Sequence, residues 1–304
     1  KASRLKNMLH VPVLLEESLD FLLHDLSGTY LDLTFGRGSH SQEILNRISP
    51  QGSLLAVDRD LEAVLYGKDN IVDSRFSIYH ANYSEIDKLF PQKKFNGILL
   101  DLGTCSTHLD NPIRGFSFQS DGPLDMRMDT SSGFSAAEWL NSSPEKEISN
   151  ILYEYGDEKA SRKIAKAIVK FRNLRPLETT LELTKVIETV LKRTGKAHPA
   201  TKSFQAIRIH VNNELHHLKI ALSKLNNVLK VGGVIVIISF HSLEDRIVKN
   251  FFKPEIEELP KDIPINNSVK ETYRCIKKKI KPTTNEIKIN PRSRSAVMRV
   301  FSKL

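Results

Sequence analysis

Four short runs of almost unbroken apolar residues recur in the first third of the chain: "TYLDLT" from Thr29, "SLLAVD" ending at Asp58, "FSIYHA" from Phe76 and "FNGILLDLG" ending at Gly103. Stretches with helical spacing separate them. A strand that is apolar on both sides must be covered on both, which marks a parallel sheet with helices on either face. The fifth run, "GGVIVIISF", does not begin until Gly232. A parallel crossover needs only roughly a dozen residues, so the segment after Gly103 must hold structure of its own.

Helical patterns fill that gap. "SPEKEISNILYEYG" offers Ser143 as an N-cap and Pro144 at the first helical position. "DEKASRKIAKAIVKF" and "TTLELTKVIETVLKR" repeat apolar residues three and four apart. Residues 201–230 predict one long helix leading back to the sheet, stopped by Gly232 and Gly233. The expected fold is therefore α/β, a Rossmann-like sheet domain built from residues 1–110 and 201–304. A helical domain, residues 111–200, is inserted after strand four. Near the end, "YRCIKKK" and "SAVMRVFSK" are expected to pair as antiparallel strands at the sheet edge.

The sequence opens on Lys1 with neither a signal peptide nor an arginine-rich presequence. Its longest apolar run, Val234 to Phe240, is too short to cross a bilayer. Cys105 and Cys275 make no disulfide framework and suit a reducing compartment, so a cytoplasmic location is expected. The net charge of +9 is concentrated: from Lys270 to Leu304 eleven Lys or Arg face two acids, while the remainder holds 34 of each sign. Such a segment attracts phosphate backbones, although a solvated lysine-rich face has the same composition. It lacks the aromatic-anchored apolar face of a membrane-surface helix.

The first strand runs into "FGRGSHS", where Gly36 and Gly38 open a helix as a doubly wound sheet requires if backbone amides are to meet a ligand. Asp58 ends strand two, twenty residues beyond Gly38, where a carboxylate can receive both hydroxyls of a ribose. Asp32, Asp58 and Asp101 gather three carboxylates around one crevice, a rim that repels a diphosphate. The third glycine of the dinucleotide fingerprint is Ser41. S-adenosylmethionine, with a ribose, an ammonium and a sulfonium but no phosphate, fits such a rim.

"HVPVLLEE", "TFGRGSHS", "GFSFQSDGPLDMRMD", "YGDEKASRKIAKAIV", "TKSFQAIRIHVNNEL", "ISFHSLEDRIVK" and "NPRSRSA" together resemble the bacterial MraW/RsmH type of methyltransferase. The resemblance runs from His10 to the end, and "SDGPLDMRMD" with "SFHSLEDRIVK" is its most specific part. It implies S-adenosylmethionine-dependent methylation of the exocyclic N4 amine of a cytidine in small-subunit ribosomal RNA near the decoding centre. The partner is then that RNA, free or within a ribosomal particle, and the inserted domain recognises it. Matched position by position, the cofactor contacts fall on Gly38, Ser39, His40, Asp58, Tyr83, Asp101 and His108. Ser39 stands where glycine is usual, His108 where glutamine is usual, and Cys105 and Thr107 where serine and proline are usual.

Methyl transfer to nitrogen is a direct displacement, so positioning supplies most of the acceleration. The cytosine amine lone pair is delocalised, and an acceptor should hold the amine as it pyramidalises. Asp101 at the end of strand four is the candidate, or it serves the cofactor instead. Arg114, Phe116, Phe118 and Arg127, in a loop-rich stretch, suit a splayed-out base and its phosphates, with loop-to-core packing as the plainer reading. His241 ends strand five, where such folds place ligands, next to a capping box expected at Ser242 and Asp245. Trp139 is expected in the core of the insert. Cys105 and His108 lack a second pair at ligand spacing, so no metal is expected. Two other functions compete: a carbon-5 cytosine methyltransferase with Cys105 as nucleophile, and a non-enzymatic RNA-binding assembly factor.

Overall fold

The computed structural model describes residues 12–193, 198–254 and 271–304. The start of the "HVPVLLEE" motif at His10, Lys270 at the head of the basic tail and residues 194–197 of the expected insert lie outside that range. Two compact units emerge, one holding the residues up to Gly103 and from His216 on, the other Thr104–Leu215.

The chain begins with α1 (Leu15–Leu22), β1 (Thr29–Asp32), α2 (Ser39–Arg47), β2 (Ser53–Asp58), α3 (Leu61–Asn70), β3 (Phe76–His80), α4 (Ile86–Leu89) and β4 (Phe95–Asp101). Next come α5 (Ser106–Asp110), α6 (Ala136–Ser142), α7 (Glu145–Gly156), α8 (Ser161–Arg172), α9 (Thr180–Glu188) and α10 (Thr201–Val211). The return is made by α11 (Glu214–Val228), β5 (Leu229–Ser239), α12 (Ser242–Phe251), β6 (Tyr273–Ile280), α13 (Thr284–Ile289) and β7 (Val297–Lys303).

In the first unit the sheet order is β3-β2-β1-β4-β5-β7-β6. The first five strands are parallel, and β7 lies antiparallel between β5 and β6, the edge pairing expected from the sequence. This is the expected α/β Rossmann-like sheet. Alternate side chains explain the continuous apolar runs. Leu31, Leu55, Leu100 and Ile237 pack with Leu218, Leu222 and Leu225 of α11 and Val248 of α12. Tyr30, Leu54, Leu99 and Val236 point the other way, onto Leu19 and Leu22 of α1 and Ile44 and Leu45 of α2. Each such side chain contributes about 1.5–3 kcal/mol on burial, so neither face can be left wet. The order of the strands reverses between β1 and β4, and a ligand crevice belongs outside the carboxyl ends there.

The second unit is helical, with Trp139, Leu140, Ile148, Leu152, Ile164, Ile168, Leu183, Ile187, Phe204 and Ile207 in one core. Trp139 is buried as the sequence predicts, and its Nε1 donates to Glu147 at 2.9 Å. Capping boxes start α6 at Ser135 and Glu138 and α9 at Thr179 and Glu182.

Three local expectations are corrected. The single helix over 201–230 is two helices, because Asn213 turns left-handed at φ 50° while the buried Asn212 side chain bonds the Arg208 and Met126 carbonyls. The glycine pair does not stop a helix: β5 has already begun at Leu229, and Gly232, at φ 77°, lies where its register with β4 shifts. Ser143 is not an N-cap, since its N–H closes α6 on Trp139, and Pro144 takes the N-cap position of α7.

Gly97 of β4 has no room for a side chain. A methyl group there would sit 2.7 Å from Leu22 Cδ1 and 2.9 Å from the Tyr30 ring. Gly97→Ala is expected to lower stability by about 1–3 kcal/mol, the usual cost of overpacking. A urea midpoint unchanged from wild type would show that α1 is not pressed onto the sheet here.

Candidate active site

The turn from β1 to α2 is built on glycine. Gly36 and Gly38 have φ of 55° and 74°, and a Cβ on Gly38 would lie 2.6 Å from the Phe35 ring. Phe35 is buried beneath the loop, and a Cβ on Gly67 of α3 would meet it at 2.9 Å. Gly38 is the N-cap of α2 and brings no capping side chain, so no side chain of its own covers the first-turn N–H groups. The helix starts at Ser39, directly after the glycine pair. Asp58 ends β2 and holds this loop: Oδ2 accepts the Gly36 N–H at 2.7 Å and Oδ1 the Asp60 N–H at 2.8 Å. An ionised carboxylate has roughly four acceptor positions, so anchoring the loop is compatible with receiving a diol.

Asp32 lies under the loop rather than on its rim, 1% exposed. Its Oδ2 accepts from Ser41 Oγ at 2.6 Å and its Oδ1 from the Thr34 N–H at 3.1 Å. Burial, with a smaller push from Asp58, raises its pKa to about 6 against the pull of those two bonds. Asp101 ends β4 with its N–H donated to Thr34 Oγ1 at 2.7 Å. Burial first, then the charges of Asp32 and Glu244, hold its carboxyl well above the ordinary range. Its Oδ2 is 3.7 Å from His40 Nδ1, and its buried Oδ1 accepts no hydrogen bond from the described residues. His40 reaches back to the Val13 carbonyl through Nε2 at 3.2 Å.

On the adjacent strand, His241 is itself the N-cap of α12, sharing the capping box with Glu244. The expected box at Ser242 and Asp245 is thus displaced by one residue. Asp245 instead pairs with Arg299 of β7 at 2.7 and 2.9 Å. Glu244, 3% exposed, accepts the Phe240 N–H at 2.8 Å. Tyr83 lies in a half-buried 3-10 turn after β3.

The first unit therefore brings Gly38, Ser39, His40, Asp58 and Asp101 to one edge, with Tyr83 and His241 following neighbouring strands of that edge. The other predicted residues belong to the second unit. There His108 stacks on Phe116 with ring centroids 4.8 Å apart. Arg114, 5% exposed, donates to the Arg127 and Met128 carbonyls at 3.1 and 2.9 Å. Arg127 chelates Asp125 at 2.9 and 2.7 Å. Phe118 stacks on His198 at 4.5 Å. Burial pushes the Cys105 thiol up, but hydrogen bonds from His108 and Thr107 and the His108 charge outweigh it, so the net shift is downward.

Sequence reasoning missed Thr34, Ser41 and Glu244 as parts of this site, and Asn212 as the clamp on the "DMRMD" loop. Asn212 accepts the Met128 N–H and donates to the Met126 carbonyl, both at 2.7 Å. Ser41 carried a usable signal: the serine in place of a third glycine is the partner of the buried Asp32.

Because the folded pKa of Asp32 is above its unfolded value, the folded state binds the proton more tightly, and stability falls as pH rises from about 4 through about 6. Asp32→Asn removes that loss. Relative to wild type it should gain stability across this window and hold a constant advantage above it, up to about 3 kcal/mol. Denaturation curves at pH 4.5 and 8 with the same difference between the two proteins would refute the buried-charge account.

A profile of the MraW methylase family matches residues 7–304. Among similar proteins, a Legionella pneumophila (strain Paris) protein named ribosomal RNA small subunit methyltransferase H is 47% identical, the match covering 97% of this chain and 99% of that one. Its namesake from Nitrosomonas europaea is 45% identical, over 97% and 98% of the two chains. Full-length similarity of this strength is not confined to a glycine loop: the chain belongs to the MraW methylase family.

Proposed function

We propose that the chain transfers a methyl group from S-adenosylmethionine to the exocyclic N4 amine of a cytidine in small-subunit ribosomal RNA. Family membership supports the reaction class, and the names of the relatives support the substrate. The observation that carries the site assignment is the buried Asp101 Oδ1, which has no hydrogen-bond partner among the described residues, at the switch point of the sheet. A buried acceptor without a donor is costly, and a bound amine or ammonium removes the cost.

The residues fit the donor. Asp58 would receive the ribose hydroxyls, and the first turn of α2, at Ser39 and His40, would face the carboxylate. S-adenosylmethionine supplies an activated methyl on a sulfonium. Burial and the charges of Asp32 and Glu244 raise the Asp101 carboxyl, and a cation held beside it would favour its ionised, accepting form. Asp101 then holds the cytosine amine and takes its proton. Tyr83 and His241 complete the edge. Arg114, Phe116, Phe118 and Arg127 of the second unit shape the base-recognition loop, with His108 stacked on Phe116 kept for the cofactor, so Thr104–Leu215 would be the substrate-recognition unit.

Asp101→Asn should slow methyl transfer by about 10²–10⁴-fold, the range for a lost proton acceptor. Cys105→Ser should keep substantial activity with N4-methylcytidine as the product in nucleoside mass spectrometry. A dead Cys105→Ser enzyme, or 5-methylcytidine as product, would replace this mechanism with the carbon-5 route.

The basic tail carries Lys277, Lys278 and Lys279 exposed on the edge strand β6, followed by exposed Lys281. Lysine on an edge strand also blocks pairing with other chains. Replacing these four by glutamine should weaken RNA binding at all sequences and flatten its salt dependence, with cofactor affinity unmoved. An unaltered salt slope would leave the tail with only that protective role.

A further inference from the structure

Helix α8 carries four cations that pair with nothing among the described residues. Arg162, Lys163, Lys166 and Lys170 are all exposed, and among the described residues none makes an ion pair or a side-chain hydrogen bond. At 100° per residue they fall within an arc of about 100° and are spread over about 12 Å of helix. Exposed Lys159 in the preceding turn extends the row. The helix, "SRKIAKAIVKFR", holds no acidic residue at all. Arg162 with Lys166, and Lys166 with Lys170, are like charges four apart, an arrangement that weakens a helix.

The neighbouring α10 shows the ordinary alternative. Its Lys202 lies 3.8 Å from Asp157, and its Arg208 pairs with Glu214 at 2.9 Å. A face kept merely for solubility mixes signs or neutralises itself in this way. The α8 row does neither. A membrane is excluded as its partner: Ile164, Ala165 and Ile168, the apolar face an amphipathic helix would insert, are fully buried in the core of the unit. What remains is a rigid, purely electrostatic surface.

We infer that the exposed face of α8 is a docking surface for the phosphate backbone of RNA, separate from the basic strand β6. The inference rests on the RNA methyltransferase reading above, and charge complementarity selects the partner, since backbone phosphates are the dense row of anions such a row matches. Flexible lysines at this spacing grip backbone without reading bases, so the surface orients the RNA and leaves sequence choice to the loop-bearing residues.

The test replaces Arg162, Lys163, Lys166 and Lys170 together by glutamine in the full chain. Equilibrium binding to a small-subunit RNA fragment is then measured over a range of salt. The expected result is at least about tenfold weaker binding near 0.1 M salt, and a slope of log affinity against log salt shallower by about 3–4. A companion variant with Lys163, Lys166 and Lys170 changed to arginine should bind like wild type. S-adenosylmethionine affinity and the unfolding midpoint report whether the fold is intact. Wild-type affinity and slope in the glutamine variant would overturn the inference. So would unchanged binding to naked RNA combined with lost binding to the small ribosomal subunit, which would make the partner an acidic protein. A wild-type protein that binds RNA with this salt dependence but methylates none of it would sink the proposed function and leave the surface standing.

Discussion

A parallel sheet buried on both faces leaves polar chemistry one place to collect. The side chains of β1, β2, β4 and β5 alternate between two apolar layers, one against α11 and α12 and the other against α1 and α2. No carboxylate can sit mid-strand without displacing several kcal/mol of buried apolar surface. Asp32, Asp58 and Asp101 accordingly occupy the last residues of their strands. The reversal of strand order between β1 and β4 then opens the crevice that those ends line. The site follows from the coverage of the sheet rather than from any single motif.

Much of this was legible in the sequence, for a physical reason. Continuous apolar runs and a glycine turn are signals of short range, set by what a residue's immediate neighbours must do. The strand ends at Asp58 and Asp101, the antiparallel edge pair and the burial of Trp139 are all read that way. What escaped depends on contacts between distant positions. The break between α10 and α11 is made by Asn212 bonding the Met126 carbonyl far upstream, and the sequence announces it only by an asparagine pair, a weaker stop signal than glycine or proline. The capping box of α12 uses histidine, an uncommon cap, so the more usual Ser242 drew the expectation one residue too far. The buried placement of Arg114 likewise needs its two carbonyl partners in space before it can be seen.

The three carboxylates turn out to do different work, and their environments separate them. Asp58, bonded to two main-chain N–H groups, fixes the loop and stays an acceptor. Asp32 is a buried strut whose charge is tolerated because Ser41 and Thr34 donate to it. Its cost is borne by the fold, yet its charge is one of the causes that raise Asp101. Mutating Asp32 would therefore disturb the reacting end without touching any ligand.

That coupling gives the site a direction. Burial and the like charges of Asp32 and Glu244 around Asp101 favour its protonated form. A cation placed beside it reverses the balance. Under the proposed function, a bound cation would thus make Asp101 a better acceptor for the amine. Asp32 and Glu244, which crowd negative charge around Asp101, would then act on the proposed chemistry through its charge state.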